Sequence, residues 1–295
     1  MIVSEFHLYL PQMRLSFEEL EAHAKDAEAA GFQGMAFMDH FAPPMAETQP
    51  MYEALVTATW LAARTERLRM GHLVLCDAFR HPAVLAKQVA SIDRASGGRF
   101  ELGMGWGSVP AEFDTFGVDE QTPGARIRRL DETLQVLRAL WSGESVDFEG
   151  EFHHLRGAMQ QPAPLGRIPI VIGGTGKKTL ELVARHADWW NLQIGNLYRL
   201  DELRASTGNA RTSLQQMVCF VPSEKERTEV EALARRRFGG FGDAVMFGTA
   251  AELVEQLHTL ADRGVERFYI WFTDFAAPET LAAFGEQVIP QLASA

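Results

Sequence analysis

Short apolar runs alternate along this chain with longer stretches in which apolar residues recur every three or four positions. The runs at 3–10, 34–38, 68–75, 99–104, 168–172, 187–192, 214–221 and 267–272 read as strands. The helical period runs through 16–30, 51–63, 82–95, 127–141, 177–186, 200–206, 224–238, 249–263 and 278–292. Capping residues open several of these: Ser16 before Glu18 and Glu19, Ser223 before Glu224 and Glu226, Thr249 before Glu252. Gly31 and Gly264 follow helix ends. Strands that alternate with helices imply right-handed crossovers and a parallel sheet. Eight such strands imply closure, so the expected fold is an α/β (β/α)8 TIM barrel. No break in composition and no repeat divides the chain, and 1–295 is expected to be one domain.

Three stretches exceed plain connections. Residues 108–126 read as a long polar loop after the fourth strand. Residues 142–165 read as an insertion carrying a hairpin that turns at Glu149-Gly150. Residues 239–248 read as a flexible glycine-rich loop behind Arg235-Arg236-Arg237. All three are candidates for a lid at the C-terminal face.

The net charge of −11 disfavours nucleic acid and anionic membranes as partners. Two distant cysteines, Cys76 and Cys219, suggest a reducing compartment. No basic leader or membrane-length apolar run is visible, so a cytoplasmic protein is expected. The histidines do not stand at His-x-His or HExxH spacing, so no metal site is expected.

In a barrel of this kind the chemistry sits at the C-terminal ends of the strands. Strand two ends in Asp39-His40, an acid/base or hydrogen-bonding candidate that could equally be a capping Asp beside a structural His. Strand four ends in Gly103-Met104-Gly105-Trp106-Gly107. Glycines at period two leave one face bare, either for a flat ring or for close packing inside the barrel. The fifth run leads through Gly173-Gly174-Thr175-Gly176 into a helix headed by Lys177-Lys178, which favours a phosphate. The sixth carries Trp189-Trp190; one of the two is expected on the helices and the other is a candidate to stack on a ligand. Together these pieces suit a flat heteroaromatic cofactor with a phosphate tail. An isomerase or aldolase on the same barrel would want a lysine at a strand end, and none stands there.

The runs Phe79-Arg80-His81-Pro82, Ser91-Ile92-Asp93-Arg94-Ala95-Ser96-Gly97-Gly98-Arg99-Phe100, Gly103 to Gly107 with Glu112-Phe113 and Phe116-Gly117, and Pro169 to Gly176 with Asp188-Trp189-Trp190-Asn191 resemble the bacterial luciferase-like flavin-dependent monooxygenases, including their coenzyme F420 branch. The likeness runs from about Phe6 to Trp271. It implies F420 or FMN at the C-terminal face, with an insertion after strand four. The phosphate would lie at Gly173, Gly174, Thr175 and Gly176. His40, Cys76, Gly105 and Trp106 would lie near the ring, and Asp39, His40 and Glu112 would form the catalytic set. It also implies a non-proline cis peptide between His72 and Cys76. The activity implied is oxidation or reduction of a small organic substrate, by hydride transfer with F420 or flavin-peroxide oxygenation with FMN. A separate flavin or F420 reductase and a homo-oligomer are implied partners. A non-catalytic flavin-binding protein on the same barrel stays open as the alternative.

Overall fold

The computed structural model describes residues 4–44, 46–118 and 121–293. Val3, the expected start of the first strand, lies outside them. So do Asp119 and Glu120 of the stretch after strand four.

Eight parallel barrel strands follow the chain: β1 (Glu5–Tyr9), β2 (Gly34–Phe37), β3 in two pieces (Arg69–His72 and Leu75–Cys76), β4 (Leu102–Gly105), β5 (Ile170–Gly173), β6 (Trp189–Leu192), β7 (Arg211–Phe220) and β8 (Arg267–Phe272). Neighbours pair in chain order, and β8 returns to β1. Strand β3 completes the ring in an unusual way. Its first piece pairs with β2 and its second with β4. Between them lies a cis peptide, Leu73–Val74, within the window that the family resemblance implies. The fold is therefore the expected barrel, wrapped by helices whose apolar stripes face the strands.

Residue alternation along the strands sorts the side chains. Phe6 and Phe268 stack at 5.6 Å, and Phe6, Phe32 and Phe272 all meet Phe284 of helix Pro278–Gln287. The intervening residues form a charged layer at the N-terminal end of the barrel. Arg267 binds Glu5 and Glu101, and Arg69 binds Glu101 at 2.6 Å. The Arg267 guanidinium also lies 3.8 Å from the Trp189 ring centre. Trp189 is thus held in this layer, while Trp190 is fully buried on the other face.

Several expected boundaries change. The stretch 108–126 contains a helix, Pro110–Phe116, and the next helix begins at Pro123 rather than 127. Proline at the first helical position starts both. The stretch 239–248 is a 3-10 turn, Gly239–Ala244, leading into a strand, Val245–Gly248, that pairs with β7. Apolar contact of Val245 with the Met217 cluster turns its second half from loop to strand. The expected helix 278–292 divides at Val288, because Pro290 has no amide to continue the ladder. The hairpin forms as expected, pairing Ser145–Glu149 with His154–Met159. Glu132, on helix Pro123–Leu140, accepts from the amides of Glu151, Phe152 and His153 and fixes its tip.

Candidate active site

A cleft of about 660 Å³ opens at the C-terminal ends of the barrel strands. The residues that the family resemblance assigns to the site line it: Asp39, His40, Cys76, Gly105, Trp106, Glu112 and the loop Gly173, Gly174, Thr175 and Gly176.

On one side stands His40. Its Nδ1 lies 2.8 Å from Glu112 Oε2, and the Phe41 amide donates to Glu112 Oε1 at 2.6 Å. A carboxylate only accepts, so Nδ1 carries the proton and Nε2 is left as the acceptor of the ring. Helix Pro110–Phe116 delivers Glu112 across 72 residues of chain to this point.

Asp39 has a different environment from its neighbour. Both of its oxygens bind Arg80, at 2.5 and 2.8 Å, and one also accepts from the Cys76 amide at 2.7 Å. Arg80 is shared with Glu53. Burial opposes the charge on Arg80, but Asp39 and Glu53 more than offset this and hold its pKa above the ordinary value. Asp39 therefore works as a fixed anion that ties the start of the β3–helix turn to β2. Burial pushes the Cys76 thiol up to about 12, so it stays protonated and contributes shape rather than nucleophilicity.

The glycines of β4 take on a second meaning. A Cβ on Gly103 would stand 1.8 Å from the His72 carbonyl oxygen, and one on Gly105 would stand 2.6 Å from Val74 Cγ2. The bare face of β4 is occupied first by residues 72–74, where the two pieces of β3 join. Gly105 lines the cleft, but Gly103 is a packing position.

Across the cleft, Gly174 takes φ +134°, which side chains rarely adopt. The Trp190 indole donates to its carbonyl at 2.9 Å and braces the turn. Neither Trp189 nor Trp190 lines the cleft, which corrects the expectation of a stacking ring there. Gly176 is the N-cap of helix Lys177–His186 and supplies no side-chain acceptor. The first amides of that helix thus remain available beside Lys177 and Lys178, which also line the cleft. Trp106 donates to Thr179 Oγ1 at 3.3 Å and links β4 to this helix.

Sequence reasoning misses Gln193 and Gln215, both on the cleft wall. Gln215-Gln216 inside the otherwise apolar run 214–221 is the local signal that could have found the second. Arg80 stands out in the sequence only as part of the family-like run 79–82; its partnership with Asp39 spans 41 residues and leaves no local pattern.

The luciferase-like monooxygenase family model matches residues 1–211. An F420-dependent glucose-6-phosphate dehydrogenase of Mycolicibacterium fortuitum is 38% identical over 173 residues, 58% of this chain and 51% of that one, so the match spans about half of that relative. An FMNH(2)-dependent dimethylsulfone monooxygenase of Pseudomonas fluorescens is 26% identical over 313 residues, covering 90% of this chain and 85% of that one. Among solved structures, an F420-dependent secondary alcohol dehydrogenase in complex with an F420-acetone adduct superposes with a TM-score of 0.82 at 17% identity, over 98% of this chain and 99% of that one. That last likeness concerns the fold. The barrel, its cleft and the match to more than half of the chain place this protein in the luciferase-like monooxygenase family.

Proposed function

We propose that this chain is an oxidoreductase that uses coenzyme F420 to oxidise or reduce a small organic substrate. The observation that carries the reading is the His40–Glu112 pair, 2.8 Å apart, on one wall of a cleft whose other wall is an uncapped, glycine-led helix start.

The residues fit such a cofactor. The amides at the head of helix Lys177–His186, with Lys177 and Lys178, would hold a phosphate. The backbone of 73–76 and 105–107 would lie against the ring. The bound cofactor supplies the hydride chemistry. His40, with Nδ1–H fixed on Glu112, offers Nε2 to take or return a proton at a substrate oxygen. Glu112 and Asp39 are positioning residues in this account: the first sets the tautomer and orientation of His40, the second anchors the turn that carries Cys76. Phe79, Phe113 and Ile127 exclude water from the wall.

The broad match to an FMNH(2)-dependent monooxygenase supports a second reading, with FMN in the same cleft and a separate reductase delivering it reduced. Equilibrium titration of the chain with F420 and with FMN, followed by fluorescence, separates the two. Saturable one-to-one binding of F420 is expected. Tight FMN binding without F420 binding would move the chain to the second reading, and binding of neither would overturn both.

A further inference from the structure

Four phenylalanines form a continuous ladder at the mouth of the cleft on the His40 side. Phe116 stacks on Phe41 at 4.3 Å and 18°, Phe41 meets Phe79 at 4.6 Å, and Phe79 meets Phe113 at 6.0 Å. Phe79 and Phe113 line the cleft. Phe41 and Phe116 remain 44% and 48% exposed. Their position is fixed rather than incidental, because the Phe41 amide is bound by the same Glu112 carboxylate that holds His40. Adjacent exposed aromatic rings that continue a cleft mark a surface for an apolar ligand.

The charges point the same way. Among the described residues lining the cleft, the carboxylates are Asp39 and Glu112, and the ammonium groups are Lys177 and Lys178. Both lysines stand at the glycine loop. Arg80, which could serve an anion near His40, is already bound to Asp39 and Glu53. A phosphate or carboxylate entering beside His40 would meet Asp39 and Glu112, and among the described residues that line the cleft no guanidinium or ammonium stands on that side to receive it; the nearby Arg126 guanidinium packs over the Phe113 ring at 3.7 Å.

From this arrangement we infer that the substrate is an uncharged molecule with an aromatic or other flat apolar part, seated on Phe41, Phe79 and Phe116, and that phosphorylated substrates are rejected. The inference rests on the proposed function for the identity of the reacting site. It departs from the sugar-phosphate substrate of the F420-dependent glucose-6-phosphate dehydrogenase relative.

The test uses 1-naphthol and 1-naphthyl phosphate, which share a ring system and differ in charge. Calorimetric titration is made on the chain loaded with whichever of F420 or FMN it binds, and again on Phe41→Ala and Phe116→Ala. Both rings are exposed, so neither change opens the core, and circular dichroism checks the fold. Naphthol is expected to bind at least about tenfold tighter than its phosphate. Each variant is expected to weaken naphthol by about fivefold, with cofactor affinity within about twofold of the parent. Equal or tighter binding of the phosphate would overturn the inference, as would naphthol binding unchanged in both variants. Light scattering on the same samples tests the other occupant of the ladder. Conversion of an oligomer to monomer by Phe116→Ala would make the ladder a contact between copies of this chain and would also overturn it. If the chain binds neither cofactor, the proposed function fails on that titration alone, and the naphthol pair on the free chain still decides the ladder.

Discussion

Glu112 puts one carboxylate oxygen on the His40 ring and the other on the Phe41 amide, and the two bonds make different demands on the side chain. Glu112→Gln keeps an acceptor for the amide but presents an N–H to Nδ1, which drives the ring proton to Nε2. The expected result is a fall in kcat of about 100-fold with cofactor affinity changed less than about threefold, read by steady-state kinetics beside a cofactor titration. An unchanged kcat would remove His40 from proton handling. The pair Asp39-His40 shows what sequence can and cannot reveal at this scale. Adjacency suggests a shared task, yet Asp39 turns to Arg80 and the Cys76 amide while His40 turns to Glu112. Both partners lie far along the chain, so only the folded barrel distinguishes a fixed anion from a proton carrier.

At the scale of elements, period and punctuation made all eight barrel strands and the hairpin legible, because each is written in contiguous residues. The join between β3 and β4 is not contiguous. Sequence shows Gly103 and Gly105 as places where something comes close, and the structure identifies it as the His72 carbonyl and Val74. Gly103→Ala would force a methyl into the backbone of β3 and is expected to destabilise the fold by about 3 kcal/mol in urea unfolding. A loss below about 0.5 kcal/mol would show that β3 can withdraw at little cost. Gly105→Val acts on the same segment, displacing Val74 and with it the cleft wall at 73–76. The proline-led helices Pro110–Phe116 and Pro123–Leu140 were the less legible elements, because proline reads as a loop signal until its place at a helix start is known.

Across the whole molecule, the barrel has a charged N-terminal end and a ligand-shaped C-terminal end. Burial opposes the charge on Glu101, but Arg267 above all, with His7 and Arg69, brings its pKa down from 4.5 to about 2. A carboxylate whose pKa is lower in the folded state stabilises that state above its unfolded value and loses the contribution as pH falls through the folded value. The window is therefore about pH 4.5 to 2, and the contribution of Glu101 is about 3 kcal/mol. Urea unfolding at pH 7, 4 and 3 is expected to show stability falling across that interval, with Glu101→Gln flattening the fall. An equally steep fall in the variant would place the acid sensitivity elsewhere. At the other end, the account depends on the open head of helix Lys177–His186 receiving an anionic cofactor. Gly176 has φ −76° and ψ 142°, which suit any capping residue, and a Cβ there meets only Thr179 Oγ1 at 3.8 Å. Gly176→Asp would cap the helix with its own carboxylate and repel a phosphate. The decisive measurement is the F420 affinity of this variant against the parent, with thermal unfolding of both. Affinity lower by about tenfold or more is expected in a protein at least as stable as the parent, whereas unchanged affinity would overturn the assignment of this loop to the cofactor.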